Sequence, residues 1–487
     1  MTPLPFRAHV GRTMTLGLPL VGAQLAQIAV NTTDVVMLGW LGTLELAAGT
    51  LGMQLYSVLF IVGIGFAAAI VPVVAKLVGE EEELKEATGT TADDARTTRE
   101  IRRATRMGLW VLLLVSALFI AVLQFAEPIL GLLRQPPEAV ALAVPYVAIV
   151  AWALPFALLV TGLRQFLTAL ERAQVVLWIT VATLLLNAAL DYALIFGRWG
   201  APRLGVEGAA WATLVSNALA FALAAAWVTW RADLAPYAVF RRFHVPDWPA
   251  FRRILALGWP IGLMLLSETG LFAAATFMMG LLGTVTLAAH GIALQLASIA
   301  FMVPLGMSIA ASVRVGNAAG RGSGVDVRRA AGAAYLCGVG IAVGVGLLFV
   351  FAPDPLIALF LQSNPDRAVV LAAAVPLVFM AGLFQIVDAG QAVGSAVLRG
   401  LEDTRVPMVI AIASYWGVGV PAAWLIGIEG GFQGPGVWMG LVLGLSLAAL
   451  LFLHRFGRRE RLGLGPGDRP ALEPDRGPLP SEGEPTR

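Results

Sequence analysis

Four carboxylates stand inside long apolar runs. They are Asp34 in AVNTTDVVMLG, Asp191 in LLLNAALDYALIFG, Glu268 in LMLLSETGLFAAA and Asp388 in LFQIVDAGQAVGS. A charge in hydrocarbon costs roughly 2.5–3.5 kcal/mol on insertion scales, so each acid needs a partner, water, a cation or a proton. No Lys or Arg lies within about a helical turn of any of them. Arg399 sits at a more distant helix end, and no basic residue obviously neutralises the set. Asn187 precedes Asp191 by one i, i+4 step, which puts both on one helix face. With Asp34 they would present carboxylate and amide oxygens, and Thr213 could add a hydroxyl. Oxygen ligands suit a hard cation such as Na+, and the same carboxylates could instead carry a proton. Spacing alone also permits a purely structural role, in which Asn187, Asp191 and Thr213 link helices by hydrogen bonds. Glu268 and Asp388 could likewise be polar residues at a packed interface.

The elements that must position these acids are membrane helices. The chain has 487 residues, 58% hydrophobic and 13% charged, with mean hydropathy +0.80, whereas a soluble domain carries about 25% charged residues. Apolar runs long enough to cross a bilayer recur. Twelve spans are expected, near 14–38, 46–78, 104–126, 139–161, 166–197, 205–230, 254–279, 285–316, 329–352, 368–396, 406–428 and 432–454. With both termini in the cytoplasm, all of the 33 basic residues except Arg134, Arg198, Arg203 and Arg367 fall on the cytoplasmic side, as the positive-inside rule requires. Residues 79–103 read as a solvated, partly helical loop, 231–253 as a polar connection, and 457–487 as a disordered cytoplasmic tail.

The chain also repeats itself. Residues 39–57, GWLGTLELAAGTLGMQLYS, return at 280–298 as GLLGTVTLAAHGIALQLAS, at a shift of 241. The same shift sets Gly17 and Pro19 on Gly258 and Pro260, and Phe60, Gly65 and Gly79 on Phe301, Gly306 and Gly320. The expected fold is therefore all-α and membrane-embedded, with two homologous six-helix lobes, 1–230 and 254–456, around a central cavity. Such halves point to alternating access. The shift pairs Glu268 with Gln27 and Asp34 with Ala275, so the repeat aligns scaffold and not acids.

Several functions are excluded. Neither lysine, Lys76 or Lys85, follows a glycine, so there is no phosphate-binding GxxxxGK[ST] loop. His9, His244, His290, His454 and the single Cys337 make no plausible zinc site, and no GxSxG elbow occurs. The glycines at 338, 340, 344 and 346 read as close helix packing. Basic pairs such as Arg102-Arg103, Arg241-Arg242 and Arg252-Arg253 read as topology anchors beside anionic lipid, not as a nucleic-acid surface. No cofactor is expected, and an ion gradient is left as the energy source.

These residues resemble the multidrug and toxic compound extrusion (MATE) family, near its bacterial NorM-like branch, over most of residues 10–455. Leu18-Pro19 followed by Asp34, Met37 and Gly39 is similar to the family's proline-kinked first helix with its ion-binding aspartate. Asn187, Asp191 and Thr213 match the rest of that lobe's set. Glu268 is similar to the family's span-seven glutamate, and Asp388 through Arg399-Gly400 to its span-ten signature. Gly291 and Phe384 depart from the pattern, and Phe384 removes a hydroxyl common in relatives. The resemblance implies a secondary antiporter, not an enzyme, in the bacterial inner membrane, exporting small cationic amphipathic drugs as Na+ or H+ enters. Asp34, Asn187, Asp191 and Thr213 would hold the coupling ion, with no other metal. Glu268 and Asp388 would serve substrate or a second ion or proton, and Pro19 would be the helix kink. Met37, Met264, Met278 and Met302 are cavity candidates. Drugs and membrane lipids are the expected partners, and the protein is expected to be a monomer. A flippase for a polyprenyl-linked sugar or other lipid is the rival.

Overall fold

The computed structural model describes residues 3–88, 94–361 and 367–465. The first half runs α1 (Phe6–Gly39), α2 (Thr43–Ala68), α3 (Ile70–Thr88), α4 (Asp94–Leu123), α5 (Ala126–Leu132), α6 (Pro137–Val150), α7 (Ala153–Ala169), α8 (Ala173–Phe196) and α9 (Val206–Trp230). The second runs α10 (Trp248–Leu281), α11 (Thr284–Gly320), α12 (Gly324–Phe351), α13 (Pro353–Ala358), α14 (Arg367–Gly400), α15 (Arg405–Ser414), α16 (Val420–Ala423) and α17 (Gln433–Gly457). Among the described residues eleven helices are long and apolar enough to cross a bilayer, and α6 and α7, bent by 49°, make the twelfth span. The protein is thus a multi-pass, all-α membrane protein of two six-helix lobes around a central cavity.

Boundaries moved where polar residues ride on helices that outrun the bilayer. The loop expected over 79–103 is largely helix, because α3 continues to Thr88 and α4 begins at Asp94. Residues 89–93 lie outside the described residues. The tail expected from 457 begins with a 3-10 turn at Arg459–Leu462, and from 466 onward it lies outside the described residues. The fifth span starts at Ala173, not at 166, and this leaves Arg164 and Gln165 inside α7. The 231–253 connection is docked on α4. Arg102 donates to the Tyr237 carbonyl at 2.6 Å, Trp110 to that of Phe243 at 2.9 Å, and Arg103 pairs with Asp247.

The repeat glycines are the points where the lobes meet. A Cβ on Gly65 of α2 would strike the backbone of Gly262 in α10; one on its repeat-mate Gly306 would strike the backbone of Val21 in α1. Gly17 abuts Met307 and Gly258 abuts Phe66, while Gly79 meets Asn317 and Gly320 meets Lys76. Each of these contacts maps onto its partner under the 241-residue shift, so the lobes are related by a pseudo-twofold axis through this seal. Gly42 and Gly283, also repeat-mates, take positive φ (158° and 112°) where α1 turns into α2 and α10 into α11, a conformation that glycine reaches without a Cβ clash.

The seal lies toward the Arg-rich end of the bundle, and ion pairs extend it. Buried Arg314 of α11 donates to Glu171 at 2.7 Å, and Arg321 to Glu82 at 3.3 Å. His9 of α1 contacts Asp326 of α12 at 3.1 Å, and the same carboxylate accepts from the Leu4 N–H at 3.1 Å. Glu171 and Glu402 both take positive φ (58° and 59°) in the turns after α7 and α14. Their partners are distant arginines, since Glu402 accepts from Arg253 at 2.6 Å; the neighbouring Arg172 pairs with Asp233 at 2.8 Å.

Candidate functional site

Packing of α1 against α8 brings three of the four expected first-lobe residues together. Asp34, Asn187 and Asp191 are 6%, 1% and 0% exposed. With its amide nitrogen toward the acids, Asn187 donates to Asp34 Oδ1 at 2.9 Å and to Asp191 Oδ2 at 3.3 Å. The two carboxyls are themselves within hydrogen-bonding reach of each other. Asp191 Oδ1 and Thr213 Oγ1, the latter on α9, are buried and have no hydrogen-bond partner.

Charge accounting decides what this arrangement can do. Two carboxylates and a neutral amide carry two negative charges, and none of the ion pairs among the described residues involves Asp34 or Asp191. Two like charges this close and this dry repel strongly. A cation, whether a proton or a metal ion, has to make up the difference. With its nitrogen toward the acids Asn187 bridges them as a donor, and with its oxygen there it is the ligand that spacing suggested. A metal ion between the acids would require the opposite face of the amide. Sequence reading missed Tyr56 of α2 and Tyr146 of α6, whose phenols lie within electrostatic range of Asp34; nothing in their spacing tied them to α1.

In the second lobe, Asp388 of α14 is 2% exposed, and its Oδ1 has no hydrogen-bond partner. Glu268 of α10 is half-buried and interacts electrostatically with Asp388 and with Arg399. Arg399 of α14 acts on Glu268 at electrostatic range only, since among the described residues none of the ion pairs includes Glu268. Phe384 sits at the core, edge-on to Trp438 at 5.5 Å and to Phe272 at 5.8 Å. The hydroxyl it lacks comes from elsewhere. Span eleven opens into a π-helical turn, Tyr415–Gly419, a feature frequent at functional sites. That turn points the Tyr415 hydroxyl inward, where Gln391 Nε2 donates to it at 2.5 Å. Tyr415 lies within electrostatic range of both Glu268 and Asp388. Tyr415→Phe would leave the buried Gln391 amide without its acceptor, a loss of about 1–3 kcal/mol. A lower thermal-unfolding midpoint in detergent is expected, and an unchanged midpoint would contradict the contact.

Ala275, the repeat-mate of Asp34, is 1% exposed and packed in the second-lobe core. Met264 and Met278 are also core residues, which removes them as cavity candidates, while Met37 and Met302 stay half-buried. Pro19 lies inside α1, a continuous helix from Phe6 to Gly39, below Asp34 and beside the seal.

The MatE family profile matches residues 19–92, 94–193 and 260–425. A relative from Rhizobium meliloti (strain 1021), named "Probable multidrug resistance protein NorM", is 47% identical over 454 residues, covering 93% of this chain and 94% of the relative. Another of the same name from Agrobacterium fabrum is 45% identical, over 92% of this chain and 94% of its own. Among solved structures, a eukaryotic MATE transporter superposes with TM-score 0.78 at 21% identity, covering 93% of this chain and 96% of that one. A multidrug resistance MATE family transporter in an outward-facing conformation superposes with TM-score 0.80 at 21% identity, covering 94% and 96%.

Proposed function

The chain belongs to the MatE family, and on that premise we propose that it is a cation-coupled multidrug antiporter of the bacterial inner membrane. It would export cationic amphipathic drugs and dyes by alternating access, with Na+ or H+ as the coupling ion and no further cofactor. The observation that carries this reading is the buried Asp34–Asn187–Asp191 cluster, which has two acids, an unpartnered Asp191 oxygen and, among the described residues, no ion pair. The multidrug names of the relatives support it.

The Arg-rich end carrying the seal would face the cytoplasm, as the distribution of Lys and Arg favours. The end that carries the seal is closed. A cation entering from outside would settle between Asp34 and Asp191 and cancel their repulsion. Because α1 carries both Asp34 and the Pro19 break in its hydrogen-bond ladder, that change would alter the helix bend beside the seal. Cation and drug would compete for the same negative charge, so each would drive the other off. Glu268 and Asp388 would hold the drug cation or a second ion, and the protein would act as a monomer.

A proteoliposome assay tests this. Reconstituted protein should drive ethidium across the membrane under an imposed inward Na+ or proton gradient, and the effective gradient names the coupling ion. If neither gradient moves ethidium while a labelled polyprenyl or phospholipid crosses the bilayer, the lipid-flippase reading takes its place.

A further inference from the structure

The lipid-facing side of the seal holds a crevice that the export mechanism does not use. It has a volume of about 320 Å³ and lies between three helices. Val62 and Phe66 come from α2, Leu118 and Phe119 from α4, and Trp259 and Leu263 from α10. Leu118 is 61% exposed, and Trp259 and Leu263 are exposed too, so the crevice opens sideways into the bilayer. An apolar space of this kind stays dry, and what surrounds it is hydrocarbon, so an acyl chain fits it. The crevice is also part of the seal. Gly258 abuts Phe66, and a Cβ on Gly262 would strike the Val62 carbonyl. Two of its walls, α2 and α4, thus belong to the first lobe and the third, α10, to the second.

The foot of the crevice is basic. Arg252 precedes Trp259 by seven residues, two turns and roughly 10 Å toward the Arg-rich end on one face of α10. It is exposed, and among the described residues none of the ion pairs includes it. The arginines around it are taken, since Arg103 of α4 pairs with Asp247, and Arg253 with Glu402 at 2.6 Å. Trp248, one turn further down, is exposed as well. Indole rings collect at the headgroup level of a bilayer, which places Arg252 there. The pseudo-twofold axis does not copy these features. The 241-residue shift sets Arg252 on Gly11 and Leu263 on Gly22, and Gly22 lies against Leu177 of α8.

We infer that this crevice is a binding site for one anionic phospholipid. An acyl chain lies between α2, α4 and α10, and the phosphate meets Arg252 in a charge-assisted contact. Because the walls come from opposite lobes, the site is complete only while Phe66 meets Gly258 and Val62 meets Gly262. The lipid therefore binds the closed seal better than an open one and shifts the protein toward it. The site stands apart from the central cavity and from the identity of the cargo.

Dioleoyl phosphatidylglycerol and dioleoyl phosphatidylcholine carry the same chains and differ in net charge. Full-length protein is released from micelles holding equal amounts of the two, and the lipid retained on it is identified by native mass spectrometry. The wild-type protein should retain the glycerol lipid about fivefold more often, the effect of one arginine beside an anionic headgroup. Arg252→Gln should bring that preference to about one, Arg252→Lys should keep most of it, and Arg458→Gln, at another exposed arginine, should leave it unchanged. Leu263→Trp, which fills the crevice, should lower retention of both lipids. A second readout follows the seal. Phosphatidylglycerol at about ten times its Kd should slow thiol labelling of Cys337 about tenfold in wild-type protein and much less in Arg252→Gln at the same concentration. Equal retention of the two lipids by the wild type, or an unchanged preference in Arg252→Gln, overturns the inference. So does a Leu263→Trp protein that keeps its phosphatidylglycerol but loses ethidium binding, because the crevice would then be an entrance for cargo.

Discussion

Asp34→Asn is expected to reduce gradient-driven ethidium export by about 5–150-fold, the range of a typical coupling free energy between two ligands. The substitution is nearly isosteric, so packing around this buried position stays intact. What changes is charge. Wild-type protein holds two acids around Asn187 and cannot leave both charged without a cation. The variant holds one acid between two amides and no longer needs the ion. Drug can still bind, but nothing ties its release to the gradient. The same argument gives a second, less intuitive outcome. Removing one of two repelling buried charges should raise the thermal-unfolding midpoint in cation-poor buffer while transport is lost, a trade of stability against function. Export at the wild-type rate in Asp34→Asn proteoliposomes would remove the cluster from the mechanism.

Gly65→Val is expected to be equally damaging for an unrelated reason. A Cβ there falls on the backbone of Gly262, which cannot move aside as a flexible side chain would. Overpacking of this kind typically costs 1–3 kcal/mol, and more where backbone is displaced. Because Gly306 meets Val21 in the symmetry-related way, Gly306→Val should reproduce the defect. Both variants should lose dye export and should let a thiol reagent added on the seal side reach Cys337, which is buried beside Val21 and Met307 in the wild-type protein. Gly11→Val, where a Cβ meets nothing within 4 Å, is the control and should retain both properties. Normal export by Gly65→Val would show that the lobes do not close through this contact.

Much of this molecule was legible in the chain itself. Hydropathy and length gave the spans, and the repeat gave the two lobes. Gly17, Gly65, Gly79 and their repeat-mates were visible as a pattern before their contacts were known. Asp34 and Asp191 were legible because a carboxylate in hydrocarbon is conspicuous at any position, and Asn187 because it stands one i, i+4 step before Asp191. Contacts that depend on how helices are placed relative to one another were not. Arg164 looked like a loop residue because a bend between α6 and α7 and a helix extending past the bilayer moved the boundary. Tyr415 carried no signal, since a π-helical turn that redirects one hydroxyl leaves no periodicity in sequence. The orientation of the Asn187 amide depends on its neighbours, and spacing could not choose between donor and acceptor.

The central claim is that one cation, held by the acids of the first lobe, competes with the drug. Displacement of bound ethidium from purified protein tests it most directly, by titrating Na+ at constant pH and protons at constant Na+, in wild-type protein and in Asp34→Asn. The account predicts that one of the two cations displaces the dye from wild-type protein and fails to displace it from Asp34→Asn. Equal displacement from both proteins, or none from the wild type by either cation, would contradict it.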